Sequence, residues 1–265
     1  MTAEPSSDAE ASIEPVHSYG GGPEMTLIEH LKELRNRVII SAVALVITTL
    51  LCFYFWETIL GWLLAPGRQY DPNFKLTSFS PVDRIGAIFK IGLYGGLILA
   101  SPVVVYEILA FIVPGLTPKE RRMLAPGMFG VVFFMLAGMA FAYWVILPAS
   151  LTFLLDIGSE SIENKIGIKE YLSFVTRIVF WVGVSFELPV VLALAARLGI
   201  VRARQLLSFW RYAIVIIFII AAIITPTPDP FNQSLVAGPL FLLYFLGVFF
   251  AWIVQKRREP QISPI

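Results

Sequence analysis

The sequence describes an all-α, polytopic membrane protein: six transmembrane helices in a concave bundle, preceded by a short amino-terminal amphipathic interfacial helix. Three observations lead there. Apolar residues make up 57% of the 265-residue chain and charged ones only 15%, which leaves too little polar surface to solvate a soluble globule. The apolar residues gather into runs near the roughly 20 residues that a bilayer-crossing helix needs, separated by short polar connections. Lysine and arginine fall in alternate connections, as they do in multi-pass proteins with a fixed orientation.

Residues 1–25 are rich in Ser, Glu, Pro and Gly and lack both a basic start and an apolar stretch, so they read as a disordered cytoplasmic tail and not as a cleaved signal peptide. In the next segment, Met25 to Arg37, Leu27, Leu31 and Leu34 lie on one helical stripe that continues to Val38, and Thr26 with Glu29 forms a capping box. It predicts a short helix lying at the interface. Its polar side presents Glu29, Lys32, Glu33, Arg35 and Arg37; a solvated face with Glu33–Arg37 pairing one turn apart accounts for that pattern without any ligand.

The spans are predicted at 38–64, 84–112, 123–147, 171–198, 212–224 and 235–254, a membrane domain covering 26–254 with a tail at 255–265. Pro66-Gly67, Pro114-Gly115, Pro148 and Gly199 read as the ends of the first four, and a Thr- and Pro-rich turn at 225–230 separates the last two. Span five is short: 212–224 reaches only about 20 Å as a helix, against a hydrocarbon core of about 30 Å. Either the bilayer thins there, or the helix runs back to Leu206 with Arg211 snorkelling. Pro102, Pro126, Pro189 and Pro239 lie inside spans and invite the bends of a concave bundle.

Lys32, Arg35, Arg37, then Lys119, Arg121, Arg122, then Arg197 to Arg211, then Lys256 to Arg258 fall on one side. The positive-inside rule makes that side, and both termini, cytoplasmic. There is no basic arm for nucleic acid. Cys52 is the only cysteine and has no partner for a disulfide or a metal site. The only histidines, His17 and His30, form no catalytic or metal motif, and no phosphate loop or nucleophile elbow is present. The sequence therefore predicts no enzyme, cofactor or metal.

Two stretches and one residue stand out. Residues 111–122 combine Phe111 and Leu116 with the mixed charges of Lys119, Glu120, Arg121 and Arg122, although Thr117, Pro118 and Glu120 also fit a helix start. Glu187 lies mid-span, where an ionised carboxylate costs at least about 2.5–3.5 kcal/mol. It is protonated, or paired inside the bundle, with Lys90 and Arg177 as candidate partners.

These motifs resemble those of the TatC family, the multispanning subunit of the twin-arginine (Sec-independent) protein translocase. His30 to Arg37 matches its amino-terminal signature and Phe111 to Arg122 its first cytoplasmic loop. Ser185-Phe186-Glu187-Leu188-Pro189 resembles its fourth-helix motif, and Thr227-Pro228-Asp229 with Gln233 its short outer turn. The resemblance implies a signal-peptide receptor and core subunit that exports folded proteins across the cytoplasmic (inner) membrane on the proton-motive force. It implies that Glu33 and Glu120 contact the Arg-Arg motif, with Phe111, Arg35, Arg37, Arg121 and Arg122 shaping the site. Glu187 would line the concave face, and Asp229 and Gln233 would belong to the region where the single-span partners TatA and TatB dock. Self-association and contact with membrane lipid are further expectations. The chain departs from the family in its long tail, in Gly67 after Pro66, and in Asn232 before Gln233. A proton-coupled transporter or channel using Glu187, Lys90 and Arg177 is the rival from another class, but it leaves the cytoplasmic motifs unused.

Overall fold

The computed structural model describes residues 27–72, 74–112, 124–157, 165–197, 199–225, 227 and 229–256. All of its regular elements among these residues are helical: α1 (Leu27–Tyr54), α2 (Trp56–Tyr70), α3 (Pro81–Ile112), α4 (Leu124–Phe141), α5 (Leu147–Asp156), α6 (Ile168–Ser185), α7 (Leu188–Arg197), α8 (Ala203–Ser208), α9 (Trp210–Ile224) and α10 (Pro230–Lys256). A π-helical turn, Ala142–Ile146, joins α4 to α5. Five stretches are long and apolar enough to cross a membrane, Ile28–Tyr54, Pro81–Ile108, Phe129–Asp156, Ile168–Arg197 and Pro230–Gln255, and α9 is a shorter apolar helix.

The amino-terminal segment differs from the expectation. Nothing between Arg37 and Val38 breaks a helix, and 27–37 runs without interruption into the first span. That span ends at Tyr54 instead of Leu64. The remaining turns form a separate helix, α2, that passes through Pro66 to Tyr70. Proline leaves the carbonyl four residues before it without its helical donor; for Pro66 that is Trp62, and the Tyr143 hydroxyl donates to it at 2.8 Å. The Tyr171 hydroxyl donates likewise to Leu63 at 2.9 Å. Gly67 is explained by Phe74, whose ring atoms would lie 2.6–2.8 Å from a Cβ there.

Pro148 does not end the third span either. Before it the helix widens to the π turn, with the Leu147 amide donating to the Ala142 carbonyl, and continues to Asp156. The wider turn accommodates the missing proline donor. In α3 the carbonyl orphaned by Pro102 is that of Ile98, and Ser101 Oγ donates to it at 2.7 Å. The fourth span bends at Phe186-Glu187, just before Pro189, and α7 closes with Gly199 at φ 78°. There Ile200 and Gly199 donate to the Ala195 and Ala196 carbonyls, the paired bonds of a glycine helix terminus. Span five does not continue unbroken to Leu206: α8 and α9 meet at Phe209, and α9 is about 22 Å long.

In lipid, association rests on close packing and interhelical hydrogen bonds rather than on escape from water. Helix α6 is the centre, with Leu172, Val175, Ile178 and Val182 fully buried. It packs against α3 and α4, while α10 lies along α7 and α9. Helix α1 is held along α3, where Gly92, Gly95 and Gly96 face Phe53, Cys52 and Thr49. Cys52 is thus buried between two helices.

Candidate functional site

At the end of the bundle formed by the start of α1 and the end of α3, three charged side chains meet. The Arg37 guanidinium donates to Glu33 Oε1 at 3.0 Å and to Glu107 Oε2 at 2.9 Å. Glu33 and Arg37 meet because they lie one helical turn apart. Glu107 comes from another helix and is buried. The sequence reading missed it. The available signal was a lone carboxylate near the end of an apolar run, which needs a partner, but that partner lies 70 residues away in the chain.

Two carboxylates around one guanidinium leave net negative charge, and Glu33 Oε2 is buried without a hydrogen-bond partner among the described residues. Such an atom is costly unless a donor reaches it. Beside this group the His30 and Phe111 rings stack at 4.4 Å with an interplanar angle of 24°, forming an aromatic platform between α1 and α3. Arg35 points away, exposed, toward Asn36 Oδ1 at 3.4 Å. Glu120, Arg121 and Arg122 lie outside the described residues. Glu33, Arg37 and Phe111 are therefore brought together, and Arg35 is not.

Glu187 sits at the bend between α6 and α7, 8% exposed, with neither carboxylate oxygen hydrogen-bonded. Its carbonyl accepts from the Val190 and Val191 amides, which fixes the bend. It borders a largely apolar cavity of about 460 Å³ lined by Val105, Val131, Ser185, Val191, Ile217 and Leu240. The predicted cationic partners are elsewhere: Lys90 Nζ donates to Ser173 Oγ and the Lys169 carbonyl, and its charged neighbours are Lys169, Glu170 and Arg177. The ion path proposed for a transporter is thereby not assembled from these three residues.

Asp229 caps α10. Its Oδ1 accepts from the Asn232 amide at 2.7 Å, its Oδ2 from Asn232 Nδ2 at 3.0 Å, and Pro230 occupies the first helical position. Burial alone would raise this carboxyl, but the donors around it hold it below the usual carboxylate range. Asn232 in this chain is thus part of the cap. Gln233 Nε2 donates to the Phe218 carbonyl at 3.0 Å and ties α10 to α9.

Together these features define a multi-pass helical membrane protein with a cluster of charged side chains at one end of the bundle and a carboxyl-bearing cavity between its spans. A family model for the Sec-independent protein translocase protein (TatC) matches residues 29–239. The chain is 40% identical over 232 residues to the chloroplastic Sec-independent protein translocase protein TATC of Arabidopsis thaliana, covering 88% of this chain and 67% of that one. It is 37% identical over 237 residues to the Aquifex aeolicus TatC protein, covering 89% and 98%. A crystal structure of the twin-arginine translocase receptor TatC superposes with a TM-score of 0.77 at 38% identity, covering 86% of this chain and all of that one. The chain belongs to the TatC family of Sec-independent protein translocase subunits.

Proposed function

We propose that this chain is the signal-peptide receptor of its translocase and that Glu33 accepts a guanidinium of the Arg-Arg motif. The observation that carries this reading is the division of labour within the Glu33 carboxylate. One oxygen is held by Arg37, itself anchored by Glu107, while the other is buried and has no partner among the described residues. A carboxylate fixed in this way offers an acceptor of set direction, which suits the planar fork of arginine better than the point charge of lysine. Glu120, Arg121 and Arg122 complete the site in the family pattern, and the His30–Phe111 stack provides apolar surface for the residues that follow the arginine pair.

The wider reading follows the same resemblance. The protein resides in the cytoplasmic membrane with both termini cytoplasmic, and it moves folded proteins on the proton-motive force. It docks TatA and TatB near α9 and α10 and self-associates in the receptor complex. Asp229 and Gln233 act there by fixing the turn and the α9–α10 packing, since their polar atoms are engaged within the chain.

Crosslinking of a photoreactive signal peptide to the membrane-embedded protein tests the receptor reading. Crosslinking is expected to require Arg-Arg over Lys-Lys and to fall in Glu33→Ala and Glu120→Ala. Equal crosslinking in every case, with the variants folded, overturns the receptor reading of Glu33.

A further inference from the structure

A second polar cluster lies between α3 and α6, far from Glu33. Lys169, Ser173 and Arg177 follow one another at four-residue spacing on one face of α6, and Lys90 of α3 reaches them through the Ser173 hydroxyl and the Lys169 carbonyl. Ser173 Oγ also donates to the Lys169 carbonyl. No carboxylate forms an ion pair with Lys90, Lys169 or Arg177 among the described residues. The one acid nearby among the described residues, Glu170, folds its carboxylate back over Gly167 at the start of α6.

Position gives the cluster its meaning. Lys90 and Glu107 lie on the same helix with no charged residue between them, about 26 Å apart at 1.5 Å per residue. That is slightly less than a hydrocarbon core of about 30 Å. With Glu107 near one boundary, the Lys90 ammonium reaches headgroup depth at the other by extending outward. Lys169, Ser173 and Glu170 also border a largely apolar groove of about 400 Å³ lined by Leu151, Leu154, Leu155, Ile166 and Phe174. Three cations against one carboxylate among the described residues, with Lys90 at headgroup level and the cluster continuous with a hydrocarbon-lined groove, match the two halves of one ligand class.

We propose that the α3–α6 cleft binds an anionic phospholipid, its phosphate held by Lys90, Lys169 and Arg177 and one acyl chain seated along α5 and α6. Native mass spectrometry of the full-length protein, delipidated in detergent and exposed to phosphatidylglycerol or phosphatidylcholine, tests this. Retention of phosphatidylglycerol over phosphatidylcholine is expected, with at least a fivefold loss in the Lys90→Gln/Lys169→Gln/Arg177→Gln variant and none in Lys75→Gln. Millimolar inorganic phosphate is expected not to displace the lipid. Equal retention of the two lipids, unchanged retention by the triple variant, or displacement by phosphate overturns the proposal. Should the triple variant unfold, Arg177→Gln alone is expected to lower retention at least twofold, and no loss in it overturns the proposal equally.

Discussion

The attachment of α1 to the bundle hangs on the surface of α3, and Gly96→Ala probes it directly. A Cβ at Gly96 would lie 2.7 Å from the Thr49 Cα and within overlap of the Thr49 hydroxyl. Backbone cannot rotate aside as a flexible side chain can, so restoring ordinary contact near 3.5–4.0 Å requires α1 and α3 to part by roughly 1 Å. Overpacking of this kind costs about 1–3 kcal/mol. The Thr48 Oγ1 bond to the Gly96 carbonyl, 2.9 Å long, stretches as the helices separate; interhelical hydrogen bonds in membranes average about 0.6 kcal/mol. A net loss near 2 kcal/mol, about thirtyfold in the folding equilibrium, should appear in reversible denaturant titration in mixed micelles. The control sits in the same helix. A Cβ at Gly86 meets nothing within 4 Å, so Gly86→Ala should be neutral or gain up to about 1 kcal/mol from helix propensity. Equal stability of the two variants would refute the packing argument. Because α1 carries Glu33 and Arg37, Gly96→Ala should also weaken peptide binding.

Tyr143→Phe leaves the Trp62 carbonyl without a donor and should cost about 1 kcal/mol; adding Pro66→Ala restores a helical N–H to that carbonyl, so thermal melting should show the double variant recovering. No recovery would mean that the hydroxyl acts otherwise. Asp229→Ala should destabilise by about 1 kcal/mol near neutral pH through loss of the cap. Since the folded carboxyl titrates below its unfolded value of about 3.9, its contribution is full above that value and is lost as pH falls through the folded one. The melting gap between parent and variant should therefore narrow only below about pH 4, and a gap constant from pH 7 to 3 would exclude the carboxylate as its source. Glu187→Gln, which keeps shape and removes the ionisable group from the cavity, should impair transport more than signal-peptide binding in vesicle assays; equal loss of both would contradict its placement away from the receptor site.

Hydropathy and alternating basic connections were enough to find every membrane-length run, because burial in lipid acts on each segment separately. Prolines were where the reading failed. Pro66 and Pro148 look like stops in isolation, yet a tyrosine from another helical segment serves the carbonyl that Pro66 orphans, and a π turn carries the chain into Pro148. No local pattern reveals a donor 81 residues away. The same holds at the site: Glu33–Arg37 pairing was legible from four-residue spacing, whereas Glu107 was hidden until α3 was laid against α1. From the sequence, Lys90 and Arg177 read as candidate partners of Glu187, but their grouping with Lys169 instead depends on the α3–α6 contact.

The central claim is that a fixed carboxylate at Glu33 reads arginine. The most direct measurement is the affinity of Arg-Arg and Lys-Lys signal peptides for the parent protein and for Glu33→Gln in lipid nanodiscs. The account predicts that the parent prefers Arg-Arg by about tenfold or more, some 1.4 kcal/mol, and that Glu33→Gln binds the two peptides nearly equally. A preference for Arg-Arg that survives intact in folded Glu33→Gln would contradict it.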